Sequence, residues 1–83
     1  MSEMIDVSSV QRASMLRMGQ TWQKSGKLNQ AVDTYLRLVR ENPGTVEAEE
    51  AKAALLAIAG GYEQEGRYHM ALDIFDHLKD VVA

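Results

Sequence analysis

The chain has 83 residues, of which 46% are hydrophobic and 25% charged, with one proline, no cysteine and a net charge of −3. This composition is typical of one small globular domain and excludes collagen-like, disulfide-linked and thiolate-metal scaffolds. The acidic total, with Lys and Arg spread singly from Arg12 to Lys79, argues against nucleic-acid binding. No apolar run is long enough to insert into a membrane, and residues 1–9 do not resemble a signal peptide, so we expect a cytoplasmic protein.

Apolar residues recur three or four positions apart along most of the chain, which predicts an all-α protein of about four helices. In chain order, the helices are expected over about 10–24, 28–40, 46–65 and 68–82. Pro43 lies between the second and third helices, where it prevents the second from continuing.

The sequence contains one pattern twice, at an offset of 40 residues. The matched pairs are Met15 and Leu55, Met18 and Ile58, Gly19 and Ala59, Trp22 and Tyr62, Gly26 and Gly66, Leu28 and Tyr68, Ala31 and Ala71, Tyr35 and Phe75, and Leu38 and Leu78. The small residues let two helices of a hairpin approach closely, and the glycines permit tight turns. The aromatic residues are expected to fill the space between successive hairpins. Met15 and Met18 are expected to fill the core, although with Met4 and Met70 they also suit a surface that repacks around partners.

This pattern resembles the tetratricopeptide repeat family. The family has a large apolar residue, an apolar-small pair, an aromatic residue, and later alanine, an aromatic residue and proline, and only the second proline is missing here. The resemblance implies two tetratricopeptide-like helix hairpins forming a short right-handed α-solenoid over 10–83, with repeats at about 12–45 and 46–83. Residues 1–9 are expected to be a flexible or capping segment. The period of 40, against about 34 in the family, predicts a lengthened first helix in the second repeat.

The resemblance implies a non-catalytic protein–protein interaction module, with no enzyme activity and no cofactor. In the family, the first helix of each hairpin lines a concave groove that binds a peptide or a partner protein. The corresponding residues are Leu16, Gln20, Gln23, Lys24, Leu56, Gly60, Glu63 and Gln64. One subtype clamps chaperone C-termini with lysine and asparagine, but this chain has Leu16, Gln20 and Gly60 at the matching positions. We therefore expect an apolar segment in the groove, or else Leu16 and Leu56 packing against a second copy or the N-terminal segment.

The last helix carries more apolar residues than one hairpin covers: Ile74, Phe75, Leu78, Val81 and Val82. Stacked repeats generally need about three units and a polar capping helix at the end, and this chain has two repeats and no such cap. The cover is expected to be a second protomer in a twofold dimer, a larger partner, or a folded-back segment containing Met4, Ile5, Val7 and Val10.

Other chemistry has a weaker basis in the sequence. His69, Asp73 and His77 share one helical face, but they offer no certain third ligand, so a solvated His–Asp pair is expected and no metal. The acidic residues near 47–50 suit a helix start better than a cation site.

Two alternatives to the interaction module stay open. A helical DNA-binding regulator would rely on Lys24 and Lys27 beside the amides of Asn29 and Gln30. A small accessory subunit of an enzyme complex would draw on the two histidines of the last helix.

Overall fold

The computed structural model describes residues 7–82, with side chains to position 81, and these residues form four α-helices. The helices are α1 (Val7–Lys24), α2 (Leu28–Glu41), α3 (Val46–Gln64) and α4 (Tyr68–Val82). Each helix contacts the next one, and in addition α1 contacts α3 and α2 contacts α4. The chain is therefore two helix hairpins stacked side by side, which confirms the predicted all-α hairpin fold.

The two hairpin turns have the same geometry. Gly26 and Gly66 adopt φ angles of 77° and 78°, a region that glycine enters without steric cost. The N–H of Lys27 donates to the Trp22 carbonyl at 2.9 Å, and the N–H of Arg67 donates to the Tyr62 carbonyl at 2.8 Å. Both turns are thus Schellman motifs, which satisfy the last carbonyls of α1 and α3.

A capped helix start connects the hairpins. The Thr45 side-chain oxygen accepts a hydrogen bond from the Ala48 N–H at 3.2 Å, while its hydroxyl donates to the Asn42 carbonyl at 2.7 Å. This cap starts α3 at Val46 and gives it 19 residues, the long helix that the sequence predicted. The first helix of repeat one is nearly as long: α1 has 18 residues and begins at Val7 rather than near position 10. Positions 7–9 are therefore helical, and the rest of the expected flexible segment lies outside the described residues.

One hydrophobic core runs within and between the hairpins. Its buried apolar residues are Leu16, Ala31, Tyr35, Leu36, Leu38, Val39, Ala48, Ala51, Leu55, Ile58, Ala59, Tyr62, Ala71, Ile74 and Leu78. Gly19 is buried as well. The four small residues expected at the helix contacts, at positions 19, 31, 59 and 71, are all buried, which confirms that they set the close packing.

The aromatic residues divide by their position in the stack. Tyr62 is buried between the hairpins, as predicted, and Tyr35 is buried against α1 of its own hairpin, but Trp22 and Phe75 are only partly buried. Met18 is 51% exposed although its counterpart Ile58 is 6% exposed, so the expectation that Met18 fills the core is wrong. Repeat two packs on repeat one and buries Ile58, whereas no segment of the described residues 7–82 covers Met18.

Candidate protein-binding surfaces

The groove residues that the sequence predicted are distributed unevenly between surface and core. Gln20, Lys24, Leu56, Glu63 and Gln64 are exposed. Gln23 and Gly60 are half-buried, and Leu16 is buried. We refer to the exposed members on α1 and α3 as the groove surface.

Leu16 belongs to the core and not to the groove surface. It is 9% exposed, whereas its counterpart Leu56 is 51% exposed. Leu16 lies one helical turn after Arg12, whose Nε donates to Glu47 Oε1 on α3 at 3.1 Å. This side of α1 therefore faces α3, and Leu16 packs within its own chain. The sequence interpretation, which placed Leu16 against a peptide, a second copy or the N-terminal segment, is corrected on this point.

The Arg12–Glu47 ion pair fixes α1 against the start of α3, and sequence reasoning missed it. Glu47 has a lowered pKa because its carboxylate accepts a hydrogen bond from its own backbone N–H and, secondarily, from the Arg12 side chain. The two residues are 35 positions apart in the sequence. The repeat pattern gives no sign of the pair, because the position of Glu47 is occupied by Val7 in repeat one.

Gln23 has a structural partner. The Tyr35 hydroxyl donates to Gln23 Oε1 at 2.7 Å, which satisfies the only polar atom of a side chain that is otherwise enclosed in the core. Burial raises the pKa of this hydroxyl. The amide oxygen of Gln23 thus accepts a hydrogen bond from within the protein, while its NH₂ group takes no part in this contact and can still donate.

The central part of the groove surface on α3 is apolar and low in relief. Leu56 is flanked by exposed Ala53 and Ala57. A Cβ added at Gly60 or Gly61 would have no other atom within 4 Å beyond its own helix. The chain itself therefore leaves open space above this turn of α3, beside the leucine.

A family model described as Tetratricopeptide repeat matches residues 13–45, which cover most of α1 and all of α2. Residues 13–45 therefore form a tetratricopeptide repeat. A search of curated proteins and a search of solved structures gave no significant match. The second hairpin repeats the Schellman turn and the buried small residues of the first, so we call residues 13–45 repeat one and the hairpin α3–α4 repeat two.

The last helix of repeat two buries part of the face that was expected to mediate self-association. Ile74 and Leu78 are in the core, because α4 turns them toward the rest of the chain, so their assignment to a free surface is wrong. Phe75 and Val81 are partly buried against the core, and the Val82 side chain lies outside the described residues. The exposed apolar residues of α4 are instead Tyr68 and Leu72.

The N-terminal residues that were expected to fold back over this helix are not all in a position to do so. Val7 and Val10 lie in α1 and are exposed. Met4 and Ile5 lie outside the described residues. Within the part of the chain that is described, no segment covers Tyr68 and Leu72.

Of the two histidines in repeat two, His69 is exposed and His77 makes surface contacts. Arg40 donates to His77 Nδ1 at 2.7 Å, because arginine has no acceptor, and His77 Nε2 lies 3.9 Å from Asp73 Oδ1. Nδ1 is therefore occupied, and the contact ties α2 to α4. Residues 7–82 contain no group of three or more His, Asp or Glu side chains that could hold a metal ion. Among these same residues, no helix is long and apolar enough to cross a membrane.

Proposed function

We propose that the protein is a non-catalytic adaptor that holds a peptide or a partner protein against the groove surface of α1 and α3. Tetratricopeptide-repeat proteins are typically interaction modules, and the observation that carries the proposal here is the exposure of Leu56 in the middle of α3. The cytoplasmic location stays a prediction.

Two properties of α3 support the proposal. Covering the exposed half of Leu56 contributes roughly 1 kcal/mol to binding by removing apolar area from water. Gly60 and Gly61 each cost the helix about 1 kcal/mol relative to alanine, and no contact within the chain requires them to be small. They allow a partner backbone to approach α3 closely beside the leucine.

The rest of the groove surface is polar and suits the edges of such a contact. Gln20 and Gln64 offer amide donors and acceptors for a peptide backbone, and Lys24 and Glu63 add charges of opposite sign. An apolar anchor with polar groups around it is the usual arrangement of a peptide-binding groove.

The experiment compares two exposed leucines on different helices, Leu56 on α3 and Leu72 on α4. Affinity capture from the native source identifies a partner, and its Kd is then measured by calorimetry for the wild type, for Leu56→Glu and for Leu72→Glu on α4. We expect Leu56→Glu to weaken binding at least about tenfold, or 1.4 kcal/mol, and Leu72→Glu to leave it unchanged. Circular dichroism checks that both variants keep their helicity. Equal loss of binding in both variants, or none in either, contradicts the groove.

Self-association is a second candidate property, and it is favoured by the exposure of Tyr68 and Leu72 on the last helix. Within residues 7–82, one side of α4 has no packing partner, and a second protomer is one way to cover it. Sedimentation of the purified protein over a range of concentrations tests it: a mass of one chain at every concentration contradicts self-association.

A further inference from the structure

The stack of two hairpins has two different ends. We call the uncovered side of repeat one the leading face, with Met18 and Trp22 on α1 and Thr34, Arg37 and Glu41 on α2. We call the uncovered side of repeat two the trailing face, with Leu72, Phe75, Asp76, Lys79 and Asp80 on α4.

The contact between the two repeats shows what each end would meet if the stack continued. Val32 and Leu36 of repeat one line a cavity with Tyr62, Ile74 and His77 of repeat two. The repeat offset of 40 residues converts this contact to the two ends. A contact residue of repeat one matches the trailing-face residue whose number is 40 higher. A contact residue of repeat two matches the leading-face residue whose number is 40 lower.

Part of the apolar contact is retained at both ends, although Leu36 and Ile74 are matched by Asp76 and Thr34. On the trailing face, Leu72 and Phe75 replace Val32 and Tyr35. On the leading face, Met18 and Trp22 replace Ile58 and Tyr62. All four end residues are less buried than their counterparts, so both ends present apolar surface at the positions where the internal contact buries it.

At other positions of the contact the two ends carry charged residues, and these charges are complementary. Val39 and Val81, which line one cavity between the repeats, become Lys79 on the trailing face and Glu41 on the leading face.

The contact of Arg40 with His77 becomes a pair of Asp80 with Arg37. Both exchanges place opposite charges together when the trailing face of one molecule meets the leading face of another. At two positions, each charge at one end has its opposite charge at the other end of the same chain. This complementarity favours a second copy of the chain over an unrelated protein as the partner.

We infer that the protein associates with copies of itself head to tail, with the trailing face of one molecule packed on the leading face of the next. This inference rests on the self-association proposed above and specifies its geometry. Such a contact is heterologous, so it continues from molecule to molecule instead of closing as a dimer. A twofold contact through α4 would instead place Leu72 near its own copy and would leave Met18 and Trp22 uncovered.

Blocking one end at a time tests the geometry. Met18→Glu blocks the leading face and Leu72→Glu blocks the trailing face, and both side chains are more than half exposed, so the fold tolerates the charge. In sedimentation velocity, the wild type is expected to grow past two chains as its concentration rises. Each variant alone is expected to be a monomer. An equimolar mixture is expected to form a 1:1 heterodimer that grows no further, since it retains one intact contact and two blocked ends.

Other outcomes separate the two proposals. If Leu72→Glu is monomeric while Met18→Glu still dimerises and the mixture forms no heterodimer, the head-to-tail contact is wrong and self-association through α4 stands. If the wild type is monomeric at every concentration, both are wrong. Circular dichroism of each variant confirms that a monomer is a folded monomer.

Charge exchange tests the register. Lys79→Glu and Glu41→Lys are each expected to weaken association about two- to fivefold, the range for an exposed ion pair, and the double variant to restore it. Glu50→Lys is the matched control, because it makes the same charge change at a position that is exposed in both repeats. A double variant that is weaker than either single variant, or a control that weakens association equally, overturns this register.

Discussion

The two repeats solve one packing problem with different residues. In repeat one Gly19 packs against Tyr35, and in repeat two Ala59 and Phe75 occupy the matching positions. A Cβ at position 19 would lie 2.6 Å from Cε1 of Tyr35, a distance that carbon atoms do not adopt. Repeat one therefore combines glycine with tyrosine, the larger aromatic side chain, and repeat two combines alanine with phenylalanine, which lacks the hydroxyl.

The difference shows that the small residue and the aromatic residue that packs on it vary together with their position in the stack. Tyr35 is fully buried against α1, and its hydroxyl donates a hydrogen bond to Gln23. Phe75 lies on the trailing face and is only partly buried, and Glu63 stands where repeat one has the glutamine. A hydrogen-bonded ring in the middle of the stack cannot move away from a larger neighbour, whereas a ring at the edge has space to adjust.

The largest expected effect comes from the matched leucines of the second helices. Leu38 is 0% exposed and Leu78 is 7% exposed on the last helix. Leu38→Ala is expected to lower the free energy of unfolding by about 3–5 kcal/mol and Leu78→Ala by about 2–3 kcal/mol, because the edge helix can collapse toward a cavity more easily. Urea unfolding followed by circular dichroism measures both. Equal losses would show that the edge of the stack is as rigid as its middle.

The next effect is at the glycine itself. Gly19→Ala is expected to destabilise the protein by about 1–3 kcal/mol through overpacking against Tyr35, even though alanine favours the helix. The same substitution at Gly60, where the added Cβ meets no atom within 4 Å, is expected to stabilise the protein by about 0.5–1 kcal/mol.

Combining Gly19→Ala with Tyr35→Phe gives repeat one the residue pair of repeat two. The double variant is expected to recover part of the loss, because the ring is no longer held by Gln23 and can shift. A double variant whose loss equals the sum of the two single losses would show that the ring cannot move even without its hydroxyl.

The hydroxyl of Tyr35 has a smaller effect. Tyr35→Phe is expected to cost about 1 kcal/mol, since it removes the hydrogen bond to Gln23 and leaves a half-buried amide oxygen without that donor. A double-mutant cycle with Gln23→Ala measures the interaction directly, and a coupling energy near zero contradicts it. Phe75→Tyr in repeat two is the matched control and is expected to be close to neutral, because this ring is partly exposed.

The sequence was sufficient to predict the features that recur in both repeats. It was insufficient to predict the burial of side chains whose environment depends on an adjacent hairpin. The glycine turns and the buried small residues recur at one offset, so the two hairpins were predictable. Met18 and Ile58 occupy the same position of the pattern, yet only the second is covered, because the order of the hairpins decides which sides are buried. For the same reason, Ile74 was assigned to a free surface and Leu72 was missed.

The smallest expected effect is a pH dependence of the free energy of unfolding that only repeat two contributes, through Glu47. Glu47 has a lowered pKa in the folded chain, and its counterpart in repeat one is Val7, which does not titrate. The folded state therefore binds this proton less readily than the unfolded chain, whose glutamate has an ordinary pKa of 4.5. The stabilisation is fully present above pH 4.5 and is lost as the pH falls through the lowered pKa. Glu47→Gln is expected to be slightly less stable than the wild type near neutral pH and equal to it at the acidic end, as measured by urea unfolding across pH.

Arg12→Gln is expected to lose only part of this pH dependence, because the hydrogen bond from the backbone N–H of Glu47, the larger cause, remains. If Arg12→Gln abolishes the pH dependence completely, the ion pair between α1 and α3 is its whole source.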